Sequence, residues 1–183
     1  YAERLLQDLD TIDWSPAIKE TQRHWIGKSI GAEITFHIKN HPQQQLQVFS
    51  TRPDTIFGTS FLVLAPEHPL VPQITTTEQQ AAVDSYVEQA TNRSERERLA
   101  DNKQVFGVFT GAYAVHPFTQ QPLPIWLGDF VIGSYGHGAV MAVPAHDERD
   151  YAFAKHFDLP IPTVVQSPQP EEENYTGKEG TII

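Results

Sequence analysis

The run from Gly136 to Asp150 reads GHGAVMAVPAHDERD, and it constrains local shape more firmly than any other stretch of the chain. A Gly-rich turn leads into an apolar, strand-like run. A helix start follows, crowded with Asp147, Glu148, Arg149 and Asp150. A second run, Ser50-Thr51-Arg52-Pro53-Asp54-Thr55, packs three hydroxyls, one guanidinium and one carboxylate into six residues. The proline in its midst excludes a helix interior. Neither run has the pattern of core packing. Together they read as the two walls of a polar pocket.

The remaining pattern supplies a frame for those walls. Residues 3–10 and 16–26 read as short helices, with Ser15-Pro16 as an N-cap and first-turn pair and Gly27 as the stop. Ile34, Phe36 and Ile38 alternate with Thr35 and His37, as a half-buried strand does. Asn40-His41-Pro42 turns the chain, and Leu46 and Val48 alternate on the way back, a hairpin that delivers Ser50 to Thr55 at its end. Phe61 to Ala65 is a continuous apolar run, expected as a buried strand. Helices are expected over 77–91 and 94–101, the second a solvated face rich in Glu and Arg. Strands are expected over 107–115, 123–131 and 138–143, a helix from Asp147 to Phe157, and a last strand from Leu159 to Val165. Short strands interrupted by helices argue for an α+β fold, a barrel-like β-sheet core with surrounding helices.

A chain of 183 residues with 39% hydrophobic residues can bury one core and is expected to form a single domain. No apolar run is long enough to span a membrane, and the pattern is that of a soluble chain. The absence of cysteine excludes disulfides and thiolate metal sites. The only methionine is Met141 and the first residue is Tyr1, so an excised piece of a larger chain is expected. The segments 1–28 and 167–183 are read as connections to that larger chain, since Ser167 to Gly180 is rich in Pro, Glu and Gly. The net charge of −10 argues against a general nucleic-acid binder, which needs a Lys/Arg surface.

Each polar residue of the two walls has a plain structural role open to it as well as a chemical one. Asp147, Glu148 and Asp150 suit a helix N-terminus, where the dipole favours carboxylates. A carboxylate such as Asp150 also pairs with an ammonium group. Ser50, Thr51 and Thr55 suit turns and caps, or hold a water or a carbonyl oxygen. Arg52 suits a surface ion pair with Asp54. Gly136 and Gly138 suit a strand-entry turn, or leave backbone groups open to a ligand that Tyr135 packs against. Met141 and Val143 alternate on one strand face, as core residues do. Of the histidines, His24, His37, His41, His68, His116 and His156 show no ligand spacing and are assigned structural roles. His146-Asp147 is the one pair with the two-letter signature of HD-type metal phosphohydrolases. No Gly-x-Ser-x-Gly elbow, P-loop or Gly-x-Gly-x-x-Gly is present.

WIGKSIGAEITF (Trp25 to Phe36), STRPDTIFGTSFLVLAPEHPL (Ser50 to Leu70), GVFTGAYAVHP (Gly107 to Pro117) and GHGAVMAVPAHDERDYAFAKHFDLPI (Gly136 to Ile161) resemble, in order, the editing domain of leucyl-tRNA synthetases. TRPDT alone suits the isoleucyl and valyl enzymes too; the GAVMAVPAHDERDYAFA form leans to the leucyl ones. The resemblance implies a cytoplasmic hydrolase acting on mischarged leucine tRNA, with norvaline, isoleucine or methionine as the type of error, while leucyl-tRNA is spared. It implies Asp150 as the partner of the substrate ammonium and Thr55 as the gate against leucine. It places Thr51 and Arg52 with Asp150 as catalytic residues, and Ser50, Tyr135, Gly136, Met141, Val143, His146 and Asp147 around the substrate. Many family members carry threonine at the place of His137, so His137 receives no catalytic role. The implied partners are the 3′-terminal adenosine of leucine tRNA and the remainder of the parent synthetase. No metal or other cofactor, no membrane and no second copy of the chain are implied. A domain that grips only the terminal nucleotide reconciles the acidic charge with a tRNA partner. Two rivals stand beside this reading: an HD-type metal-dependent phosphohydrolase, and a non-catalytic module that only positions tRNA.

Overall fold

A computed structural model of the chain describes residues 1–27, 30–100, 105–134, 136–166, 175–177 and 180–183. Positions 28 and 101, Tyr135 and most of the 167–180 tail, all part of the expectations above, lie outside the described residues. The described chain divides into two compact units, Tyr1–Gly31 and Ala32–Ile183.

The first unit is a pair of helices, α1 (Ala2–Thr11) and α2 (Pro16–Ile26). Ser15 caps α2 by accepting from Ile18 N at 3.4 Å, with Pro16 in the first turn. Gly27, at φ 49°, ends it with its N–H on Arg23 O. Arg23 also pairs with Asp10 of α1.

The second unit is built on a six-stranded sheet, ordered β2-β1-β4-β5-β3-β6, from β1 (Ala32–Ile38), β2 (His41–Ser50), β3 (Phe61–Leu64), β4 (Gly107–Val115), β5 (Pro122–Gly128) and β6 (Ala139–Ala142). β1 and β2 form the expected hairpin, with Ile34 opposite Val48 and Phe36 opposite Leu46. Asn40 makes its turn at φ 65°, a left-handed conformation that asparagine tolerates. β3 runs parallel to β5 and antiparallel to β6. The edge strands β2 and β6 come within 8 Å between Cα atoms, yet no ladder joins them among the described residues. The sheet thus curls toward a barrel without closing.

β3 is buried on both faces. Leu62 and Leu64 face a cluster with Phe36, Leu46, Val48, Ile125 and Met141 inside the curl. Phe61 and Val63 face outward and are covered by α6 (Glu148–His156), where Phe153 stacks on Phe61 at 5.2 Å between ring centres. This two-sided burial is why the sequence shows no alternation there.

The first expected helix of the middle region is α4 (Gln80–Thr91), preceded by a short α3 (Val71–Ile74) that the pattern does not announce. The second is α5 (Glu95–Ala100), and its reading as a solvated face is corrected at Arg98. That side chain is 4% exposed and grips Glu67 through both terminal nitrogens, at 2.9 and 3.1 Å. Glu67 also accepts from Gly133 N at 3.0 Å. Of the strand expected over Leu159 to Val165, only the end pairs, as β7 (Val165–Gln166) with β8 (Thr181–Ile182).

Candidate functional site

The two polar runs follow the two edge strands, and the fold brings them together. Ser50 ends β2; Pro53–Gly58 forms a 3-10 turn that packs under the end of β6. A Cβ on Gly58 would lie 3.0 Å from Val143 Cγ1 and 2.8 Å from Val164 Cγ2, so only glycine permits this approach. Ser60 N bonds Ala142 O at 3.2 Å. Below the turn, His116 is buried and takes the N–H groups of Phe118 and Thr119 on Nδ1. Its Nε2–H therefore donates to Ile56 O, at 3.0 Å. The structural role expected for His116 is this buttress.

In the Ser50–Thr55 wall, Ser50 Oγ accepts from Arg52 N at 3.0 Å. Thr55, 3% exposed, sends its hydroxyl to Arg52 O at 2.9 Å, and its N–H bonds the same oxygen. Arg52 grips Asp54 through Nε and Nη2, the shortest contact 2.9 Å, and reaches Gly177 O through Nη1 at 3.3 Å. Arg52, bonded to it at short range, holds the Asp54 carboxyl below its ordinary range. Arg52 is therefore engaged in the ion pair open to it from the sequence. Thr51 is exposed, and its hydroxyl has no hydrogen bond among the described residues.

The opposite wall is the corner between β6 and α6. Asp147 is the N-cap of α6: Oδ1 accepts from Arg149 N at 2.9 Å and from Asp150 N at 3.0 Å. Asp150 lies in the first helical turn, 8% exposed. Its Oδ2 accepts from Val143 N at 2.8 Å, its one side-chain hydrogen bond among the described residues. Burial, aided by the charge of Asp147, pushes the Asp150 carboxyl up to about 8, against the Val143 N–H and Arg149, which pull it down. A carboxyl in that state is poised to ionise when a cation arrives beside it.

His146 accepts the N–H groups of Val164 and Val165 on Nε2, at 3.2 and 3.0 Å. Its hydrogen must then sit on Nδ1, which donates to Tyr175 O at 2.9 Å. Both ring nitrogens are engaged by backbone. Among the described residues, no three His, Asp or Glu side chains converge as a metal-ligand set.

Met141 and Val143 belong to the inner core cluster, with Thr59 Oγ1 directed at Met141 Sδ at 3.7 Å. Ile56, which follows Thr55, belongs to the same cluster. Gly136 stands at φ 61° with open space where a Cβ would be, so its backbone is accessible. His137 contacts Glu33 at 3.1 Å. A cleft of about 340 Å3 borders this turn, lined by Gln45, Leu46, Gln47, His68, Leu70 and His137. It does not include Asp150.

The fold thus links the segment carrying Ser50, Thr51, Arg52 and Thr55 to the corner carrying Val143, His146, Asp147 and Asp150, through the Gly58–Val143 approach, the Ser60–Ala142 bond and the tail residues Tyr175 and Gly177. Sequence reasoning missed Tyr175 to Gly177, which touch both walls; the surrounding Pro/Glu-rich composition conceals them, and an aromatic residue two positions before a glycine is the one available signal.

The family profile for the leucyl-tRNA synthetase editing domain matches residues 23–183. A leucine–tRNA ligase of Christiangramia forsetii is 57% identical over 183 residues, all of this chain and 19% of that protein. One of Flavobacterium johnsoniae is 64% identical over 157 residues, 86% of this chain and 16% of its own. A crystal structure of the ternary complex of Agrobacterium radiobacter K84 agnB2 LeuRS with tRNA and LeuAMS superposes with a TM-score of 0.74 at 37% identity, covering 90% of this chain and 20% of that one. The chain spans about a fifth of the length of such relatives. On sequence and on fold alike, the chain belongs to the leucyl-tRNA synthetase editing-domain family.

Proposed function

We propose that the chain hydrolyses the ester linking a wrong amino acid, of the norvaline, isoleucine or methionine type, to the 3′-terminal adenosine of leucine tRNA. The parent enzyme in this reading is a cytoplasmic leucine–tRNA ligase, and the chain acts as one copy within it. The observation that supports the reading most is Asp150. It is a buried carboxyl with one backbone hydrogen bond, in a chain of this family. An α-ammonium group entering beside Asp150 replaces the missing counter-charge and fixes the ester in place. The substrate side chain packs on Thr55, Met141 and Val143. Thr51 offers its uncommitted hydroxyl to the carbonyl oxygen or the attacking water. At this site no hydroxyl is hydrogen-bonded to a side-chain base among the described residues, so water attacks directly and positioning carries the catalysis. The reaction needs no metal.

Binding alone discriminates one methyl group by only about 1–3 kcal/mol, which is why a second, hydrolytic sieve is useful. The metal phosphohydrolase reading is weakened because both nitrogens of His146 already hold backbone groups. The test is deacylation by the full-length enzyme of isoleucyl-, norvalyl- and leucyl-tRNA, with and without a chelator. The reading expects the first two to be cleared, leucyl-tRNA to persist, and the chelator to change nothing. Failure to clear either mischarged tRNA removes it.

A further inference from the structure

Tyr175, Thr176 and Gly177 form neither helix nor strand, yet their backbone is tied at three points. Tyr175 N donates to Ala145 O at 3.1 Å. Tyr175 O accepts from His146 Nδ1 at 2.9 Å, and Gly177 O accepts from Arg52 Nη1 at 3.3 Å. The Tyr175 ring lies over Gly177, where a Cβ would meet the phenol oxygen at 2.2 Å. The same ring lies 3.5 Å from the Cβ position of Gly180. This segment is therefore shaped by specific packing.

Its two carbonyls end on the two walls. His146 is next but one to the helix that carries Asp150, and its other nitrogen is locked on Val164 and Val165. Arg52 is held on its far side by Asp54, and its own carbonyl fixes Thr55 through two bonds. We propose that Tyr175–Gly177 is a positioning strap that sets the distance between the Thr55 turn and the Asp150 corner, and that Arg52 is a positioning residue acting through it. This rests on the editing reading above. A site that catalyses by placement loses rate when its walls shift by about 1 Å, even if substrate still binds.

The test uses three variants of the full-length enzyme. His146→Gln keeps an acceptor for the Val164 and Val165 N–H groups and removes the donor to Tyr175 O. His146→Asn keeps that donor and removes the acceptor. Gly177→Ala leaves both histidine bonds and displaces the Tyr175 ring. The readouts are kcat and KM for isoleucyl-tRNA deacylation, and hydrogen exchange of the Ser50–Gly58 peptide. His146→Gln and Gly177→Ala should lose about tenfold in kcat, with KM within about twofold, and should speed exchange in Ser50–Gly58. His146→Asn, which loses the acceptor for Val164 and Val165 but keeps the donor to Tyr175 O, should lose less kcat than His146→Gln and should leave exchange in Ser50–Gly58 at the wild-type rate. Wild-type kcat and exchange in His146→Gln, or equal damage from Asn and Gln, overturns the strap. Should the unmodified enzyme clear no mischarged tRNA, the editing reading falls instead, and exchange in Ser50–Gly58 alone decides: unchanged protection in both His146→Gln and Gly177→Ala overturns the strap.

Discussion

In the Ser50–Thr55 turn, Ser50, Arg52, Asp54 and Thr55 all bond to one another or to the tail, and only the Thr51 hydroxyl stands uncommitted among the described residues. At the β6–α6 corner, Asp147 is likewise occupied as a cap, but the buried Asp150 holds a single backbone N–H. The residue types overlap; their circumstances do not. Polar groups in a half-exposed turn satisfy each other and fix a shape. A carboxyl removed from water with one bond retains an unmet demand for positive charge. In the proposed reading, reactivity follows from burial without full satisfaction, and the polar composition of a wall is a poor guide to it.

The comparison breaks first at Asp150. Asp150→Ala should abolish hydrolysis of mischarged tRNA, since truncating one partner of a desolvated charge pair costs about 2–5 kcal/mol. Asp150→Asn, which still accepts from Val143 N, should be nearly as inactive. Deacylation kinetics of the two variants separate the charge from the structural bond; an active Asn variant would show that the charge is not needed.

In the proposed reading Thr55 blocks leucine's γ-carbon, so Thr55→Ala should let the enzyme hydrolyse leucyl-tRNA. The gain in leucyl-tRNA cleavage should be about 10–200-fold, the range for one methyl-sized contact. Thr55→Ser keeps the bond to Arg52 O and should fall between. Thr55→Tyr should block both substrates. Side-by-side deacylation of leucyl- and isoleucyl-tRNA reads all three, and an alanine variant that spares leucyl-tRNA takes Thr55 out of the role of gate.

The raised titration of Asp150 sharpens the contrast through pH. The folded chain keeps a proton that the unfolded chain releases at its ordinary value of 3.8, so folded binds more protons than unfolded up to about 8. Stability from this group is full below 3.8 and is lost as pH rises toward about 8. The stability of the chain relative to Asp150→Asn should therefore decline across that window, as denaturant titrations at several pH values would show. Binding of an aminoacyl-adenosine analogue near neutral pH should release a proton, measurable by calorimetry in buffers of different ionisation enthalpy.

The smallest effect concerns Asp147. Asp147→Ala removes an N-cap and should cost about 1 kcal/mol of stability, with far less loss of hydrolysis than Asp150→Ala. Equal losses would erase the distinction between the two carboxylates.

Much of this arrangement was legible in the sequence because it is local. Alternation announced the β1–β2 hairpin, Ser15-Pro16 announced α2, and the unbroken run Phe61 to Ala65 announced a strand buried on both sides. The two walls were recognisable from their crowding of polar residues beside turns. The insertion of β3 between β5 and β6 was not legible, because nothing local specifies which distant strand a buried one will join. Arg98 was read as solvated because its burial depends on Glu67, which lies far away in sequence. The tail residues Tyr175 to Gly177 act through backbone atoms, and those carry no residue-specific signal.

The parallel and antiparallel neighbours of β3 also set an order of assembly. The hairpin that presents Ser50 to Thr55 pairs strands adjacent in the chain, so its closure costs little loop entropy. β6 pairs with β3, Met141 opposite Leu62, and that contact closes a long loop. One wall of the site thus rests on local pairing and the other on non-local pairing. The solvent exclusion that raises Asp150 exists only after the second event. Until β6 docks on β3 the Asp150 carboxyl is an ordinary acid in water, so its raised titration is a mark of the completed sheet.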